Sequence, residues 1–211
     1  QNEGGDAAIA AIQAGLPVNQ HLRDGSTPLF IATMWGQLRI VDALIDAKAN
    51  VNLATKNDVR QTPLHAAAQW GWKAISNRLI AAGASVQCID GMRATPLHNA
   101  ASMGFVEICR LLLEKGADVS AKNKFKGATP LQVAVTNGAQ GMGEYQIQAM
   151  EREMALEGFF FPQRELHDYA STVSLLLRQG LSRRDVSKAA KWARIYNSDE
   201  MIRLLTFHGT R

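Results

Sequence analysis

Four copies of the tripeptide Thr-Pro-Leu begin at Thr27, Thr62, Thr95 and Thr129, at spacings of 35, 33 and 34 residues. A period of this length constrains the chain more than its composition does. It marks one supersecondary unit, too small to bury a core alone, that must stack on copies of itself. Nine residues after each Thr stands a glycine: Gly36, Gly71, Gly104 and Gly138. Twelve residues further on come Gly83 and Gly116, with Lys48 in the equivalent place of the first full unit. A short β-rich phrase then follows: Ala49-Asn50-Val51-Asn52, Ala84-Ser85-Val86-Gln87 and Ala117-Asp118-Val119-Ser120.

Each element of the period has a physical task. The Thr hydroxyl caps a helix N-terminus, and Pro at the first helical position costs no hydrogen bond. Small residues such as Ala66-Ala67-Ala68 and Ala100-Ala101 let neighbouring helices approach closely. The first glycine allows the positive φ that ends this short helix. A second helix follows, as in Val106–Lys115, where Ile108, Leu111 and Leu112 recur at helical spacing. The second glycine closes it, so Lys48 in that role costs about 1 kcal/mol in the left-handed region. Ser76 and Arg78 occupy second-helix places that the pattern otherwise fills with apolar residues, which predicts a shift of that helix or a polar neighbour.

The phrases Thr62-Pro63-Leu64-His65-Ala66-Ala67-Ala68 and Thr95-Pro96-Leu97-His98-Asn99-Ala100-Ala101 resemble the ankyrin repeat. The resemblance implies an all-α repeat solenoid of about five to six helix-turn-helix units with short β-hairpin fingers. On that reading residues 1–211 form a single domain. Residues 1–24 are an N-terminal cap unit, 25–58, 59–91 and 92–124 are repeats, 125–182 is a repeat with an insertion, and 183–211 is a C-terminal cap unit. Polar, atypical end units are what a stack needs. At the N-terminus one helix, Asp6–Ala14, is closed by Gly15. At the C-terminus Val186–Tyr196 and Asp199–Phe207 read as the last helix pair, with Lys188 in the Thr-equivalent place, so the finger after Gly180 is truncated. His65 and His98 are expected to bond backbone between repeats.

The fourth unit is interrupted. Its closing glycine is Gly180 rather than a residue near 150, which places an insertion at 139–170 between its two helices. Segments of this size inside a compact domain are usually functional or disordered. Glu144–Leu156 has helical character, with Ile147, Met150 and Met154 on one face, and Gly158 and Phe159-Phe160-Phe161-Pro162 follow. The insertion is acidic, net −4, and the stretch 178–211 is basic, net +5. One reading packs the insertion on its own stack against the basic cap. The other makes Phe159, Phe160 and Phe161 part of a partner-binding edge.

Chemistry-bearing motifs are missing from the sequence. Cys88 and Cys109 lack metal spacing, and no apolar run approaches the ~20 residues of a membrane span. His167 stands beside Glu165 and Asp168 without the further ligands a zinc site requires. Gly138-Ala139-Gln140-Gly141-Met142-Gly143 follows a helix instead of a strand and is not closed by Lys-Ser/Thr, so it reads as a hinge and not a phosphate loop. Nucleophile motifs with supporting context do not occur. The expectation is no catalysis, no cofactor and no metal.

The positions that face a partner in ankyrin-like stacks include the seventh and eighth residues after each Thr and the finger tips. Here they carry Met34, Trp35, Trp70, Met103, Met92 and Phe125. With Phe159, Phe160 and Phe161 they are the candidate protein-binding residues. The implied function is non-catalytic binding of a folded protein, sharpened to a stoichiometric inhibitor or self-protection (immunity) protein of a partner enzyme, bacterial in type and monomeric when alone. The rival for Trp35 and Trp70 is packing against neighbouring helices. Two other functions compete: a targeting module of a larger effector or enzyme, and a binder of nucleic acid or an anionic surface through Arg183, Arg184, Lys188, Lys191 and Arg194. The overall charge of +4 is too mild to favour the latter. A first residue of Gln suits export after signal cleavage, whereas two thiols in an ordinary core suit the cytoplasm.

Overall fold

Local chemistry starts each unit as the sequence predicts. Thr27, Thr62 and Thr95 are extended, each followed by Pro at the start of a helix. The Thr27 hydroxyl accepts the Phe30 amide at 3.1 Å. The structure, a computed structural model, describes residues 3–140 and 168–209. Among these residues lie eleven helices: α1 (Glu3–Gln13), α2 (Pro28–Met34), α3 (Leu38–Asp46), α4 (Pro63–Trp70), α5 (Lys73–Ala81), α6 (Pro96–Ser102), α7 (Val106–Glu114), α8 (Pro130–Gln140), α9 (Tyr169–Leu177), α10 (Arg183–Ile195) and α11 (Asp199–Gly209).

They form two layers. The inner layer runs α2, α4, α6, α8, α10, and the outer layer α1, α3, α5, α7, α9, α11, each helix against the next in its row. The first unit therefore contributes an outer helix only. Inner helices approach closely because Ala66, Ala67, Ala68, Ala100 and Ala101 are buried at their contacts. Leu64, Leu97, Leu131, Leu79, Leu112 and Leu176 fill the space between layers. Along the outer layer, ion pairs join successive helices: Arg39–Asp6 at 3.0 Å, Arg78–Asp42 at 2.6 Å and Lys73–Glu107 at 3.3 Å. Exposed pairs like these are worth about 0–1 kcal/mol each. Arg78 thus finds its polar neighbour on α3, while Ser76 is fully buried and its hydroxyl meets no partner among the described residues.

An aromatic ladder locks the units in register. The Trp72 ring lies against Gly36, where a Cβ would come within 2.8 Å of it, and Phe105 lies against Gly71 in the same way. Both glycines have positive φ, 67° and 77°. Glycine is needed here for space as well as conformation. Tyr169, as far ahead of Gly180 as Trp72 is ahead of Gly83, packs on Gly104 and continues the ladder across the insertion. The Trp72 indole N–H donates to Met34 O at 3.3 Å and the Tyr169 hydroxyl to Ser102 O at 2.9 Å, carbonyls at the same place in their repeats. Burial pushes the Tyr169 phenol up to about 12.

Three local expectations need correction. Gly138 does not end its helix: α8 continues to Gln140, and the missing side chain instead makes room for Tyr169 and Met201. The last inner helix is capped by Ser182, whose hydroxyl accepts the Asp185 amide at 3.1 Å, so it starts ahead of both Val186 and Lys188. The fingers contain no strand among the described residues. They are turns closed by a few backbone bonds, as in Thr55 N–H to Gln61 O and Asp90 N–H to Ala94 O. The helix expected at Glu144–Leu156 lies outside the described residues.

Candidate functional site

The fingers are built as a rigid row. His65 Nδ1 accepts the Thr62 amide at 3.3 Å, which leaves Nε2 to donate to Ala94 O in the next finger at 3.0 Å. His98 repeats this between Thr95 and Ala128 O. The bonds specify a neutral Nε2–H imidazole, and burial pushes both histidines below their ordinary pKa. In the fourth unit Gln132 takes the histidine's place. Its Oε1 accepts the Thr129 amide at 3.1 Å and its Nε2 donates to Asp185 O at 3.3 Å.

Consecutive fingers are also joined backbone to backbone. Lys56 N–H donates to Gly25 O, Gly91 N–H to Val59 O and Lys124 N–H to Met92 O, at 2.7–2.8 Å. The buried Asp90 carboxylate accepts the Met92 and Ala94 amides, both at 2.8 Å, and so fixes one tip. Amide side chains do similar work at the finger bases: Asn52 and Gln87 each grip the glycine carbonyl and a nearby amide of the following unit. Cys88 is 3.3 Å from the Thr62 hydroxyl, and burial raises its thiol pKa, while Cys109 is fully buried. Both are unsuited to nucleophilic work.

The structure divides the candidate binding residues. Met34, Trp35, Trp70 and Met103 are half-buried at the ends of inner helices, with Trp70 and Met103 packed against the core. Met92 and Phe125 project from adjacent tips, 51% and 61% exposed, and Val59 on the preceding tip is 44% exposed. These three form an apolar row on a hydrogen-bonded platform. Phe159, Phe160 and Phe161 lie outside the described residues.

A second feature went unnoticed in the sequence. A groove of about 540 Å³ opens between α1 and α3, lined by Arg39, Asp42 and Asp46 among others, and is shallow and polar. At the other end of the stack a groove of about 520 Å³ runs between the Phe125 finger, α8 and α10. Its apolar wall is Phe125, Val133, Trp192, Ile195 and Tyr196, and Lys126, Lys188 and Lys191 add charge. Trp192 and Tyr196 stack with centroids 6.3 Å apart, and the Lys126 ammonium sits 4.6 Å from the Trp192 ring centre. The signal in the sequence was the shortened run between Gly180 and the next helix.

Among the described residues no cluster of His, Cys, Asp or Glu could hold a metal ion, and no helix is long and apolar enough to cross a membrane. What the geometry defines is a stack of helical repeats that presents side chains on laced turns. The family model for ankyrin repeats (3 copies) matches residues 2–90, 53–123 and 73–149, and the chain belongs to the ankyrin-repeat family. Such repeats are generally protein–protein interaction modules and typically non-catalytic. The comparison with curated proteins gives no match.

Proposed function

We propose that this chain is a non-catalytic binder of a folded partner protein, held along the finger tips and the inner-helix face by Met92, Phe125, Met34, Trp35, Trp70 and Met103. The observation that carries the reading is the row Val59, Met92 and Phe125, exposed on three consecutive tips that backbone bonds fix relative to one another. Burying one large apolar side chain is worth about 1.5–3 kcal/mol, so the row is a store of association energy. Its rigidity keeps the ordering cost of binding low. Where the partner is an enzyme, a stack laid across its surface blocks access, and the chain acts as a stoichiometric inhibitor of the self-protection kind.

Affinity capture from the native extract tests this, with the Val59→Asp/Met92→Asp variant run in parallel. Wild type is expected to enrich a protein whose affinity the variant lowers by about tenfold or more. The melting temperature should hardly move, because both side chains are about half exposed. Equal capture by the two forms overturns the finger-tip site. Unaltered activity of a captured enzyme in a saturated complex rejects inhibition.

A further inference from the structure

The groove at the C-terminal end exists because a finger is missing. Residues 115–129 connect α7 to α8 and build a tip, whereas only 178–182 connect α9 to α10. In the earlier units each tip is bonded to the next, as Gly91 N–H is to Val59 O. Beyond the Phe125 tip no further finger stands among the described residues, and α10 packs directly on α8. Among the described residues, the side of Phe125 and the exposed edge of α8 that a neighbouring finger would cover are left open, roofed by Trp192, Ile195 and Tyr196 of α10.

What would occupy this space follows from its chemistry. The volume lies within the roughly 300–1,000 Å³ of ordinary binding pockets. Lys126, Lys188 and Lys191 line it, and among the described residues no carboxylate forms an ion pair with any of them. A cationic ligand is disfavoured, because the Lys126 ammonium already sits over the Trp192 ring. A nucleobase is disfavoured as well. The Trp192 ring is engaged by Lys126 and stacked on Tyr196. The polar atoms on the α8 wall are committed too: Gln132 to Thr129 and Asp185, Asn137 Nδ2 to Ser102 O, and the Thr136 hydroxyl to Gln132 O. What the groove still offers is apolar surface, ammonium groups and the Tyr196 hydroxyl.

We propose that this groove receives an extended acidic segment of a partner protein, one aromatic or branched aliphatic side chain seated between Phe125, Trp192 and Ile195 and flanking carboxylates paired with Lys126, Lys188 and Lys191. The inference rests on the protein-binding reading and adds the chemistry of one contact. The apolar anchor supplies affinity, and the lysines select acidic sequences and speed the encounter.

Selection of a displayed random dodecapeptide library on the intact chain tests it. The expected outcome is enrichment of peptides with an aromatic or aliphatic residue flanked by Asp or Glu. Their affinity, read by fluorescence anisotropy, should fall about tenfold in Lys188→Glu/Lys191→Glu. It should be unchanged in Val59→Asp/Met92→Asp, since neither Val59 nor Met92 lines the groove. Peptides lost in the finger variant and kept in the lysine variant overturn the groove while leaving the finger-tip function standing. No enrichment, or enrichment of neutral or basic peptides, overturns it as well. So does an oligothymidine that binds the groove more tightly than any selected peptide. Failure of the protein-binding reading shows separately, as no protein enriched by the wild-type chain in the extract experiment.

Discussion

The junction between α4 and α6 and the junction between α8 and α10 use the same inner-helix contact and finish it differently. In the first, the fingers bond to each other, His65 bridges to Ala94 O, and Phe105 closes over Gly71. In the second, Gln132 reaches the backbone of α10 directly, and with no finger beyond Phe125 a groove remains. One lattice of caps and bridges thus has two products. Repeated in full it makes a closed, rigid row, and interrupted it makes a cavity. The ladder tells the same story: Phe105 is wholly buried, while Tyr169, at the far end of the insertion, is only partly covered.

The largest expected effect exploits that contrast. Phe105→Ala should destabilise the stack by about 3–5 kcal/mol, since it empties a fully buried ring site between two units. Tyr169→Phe removes only the hydroxyl that bonds Ser102 O and should cost about 0.5–1.5 kcal/mol. Denaturant unfolding of both variants measures the gap. Similar losses would mean that the resumed unit is coupled to the stack as strongly as the central ones, and the contrast would fail.

The repeat spacing made most of this architecture readable. Thr-Pro-Leu and the spaced glycines carry their own geometry, as cap, first-turn proline and left-handed turn. Positions whose role depends on a distant neighbour were not readable in the same way. Gly138 looks like the other glycines but serves Tyr169, which is brought to it from the far end of the insertion. Trp70 drew attention as a surface residue, while Trp72 does the structural work two residues later, because only the folded stack shows which ring covers the preceding glycine. The common distance of Trp72, Phe105 and Tyr169 from their closing glycines was the available clue. Counting nine residues back from Asn197 puts the cap at Lys188, yet α10 is longer than the other inner helices and Ser182 caps it, which leaves no room for a finger. The groove follows from that missing finger.

The bridges also differ in how they respond to acid. His65 and His98 have pKa values below the ordinary 6.5, with burial as the largest cause. Above 6.5 both folded and unfolded states are neutral and the bonds contribute fully. As pH falls through 6.5 the unfolded chain takes up protons first, and stability keeps dropping until the folded-state pKa is reached. The slope is at most about 1.4 kcal/mol per pH unit for each histidine. Gln132 makes the equivalent pair of bonds without titrating. His98→Gln should therefore keep the fold and reduce the loss of stability between about pH 7.5 and 5.5, measured by chemical unfolding. An unchanged pH slope in that variant would show that the histidine bridges are not where acid acts.

The smallest effect compares two left-handed residues that are not glycine, Lys48 closing an outer helix and Asn197 following an inner one. Lys48 holds φ 65° where Gly83 and Gly116 stand in the next two units, and Asn197 holds φ 51° where the last unit turns. Asn tolerates this region through its short polar side chain, and Lys has no such compensation. Lys48→Gly relieves the clash of Cβ with the backbone but frees the unfolded chain, so the net gain is a fraction of the strain, about 0.5–1 kcal/mol. Asn197→Gly should gain less. The denaturant midpoint should rise for the first with an unchanged slope, because no buried surface is altered. A gain at Asn197 as large as that at Lys48 would show that the side chain has no bearing on the cost. The strain would then lie in how tightly the preceding unit holds the turn, through Asn19, which bonds the Lys48 carbonyl and the Asn50 amide.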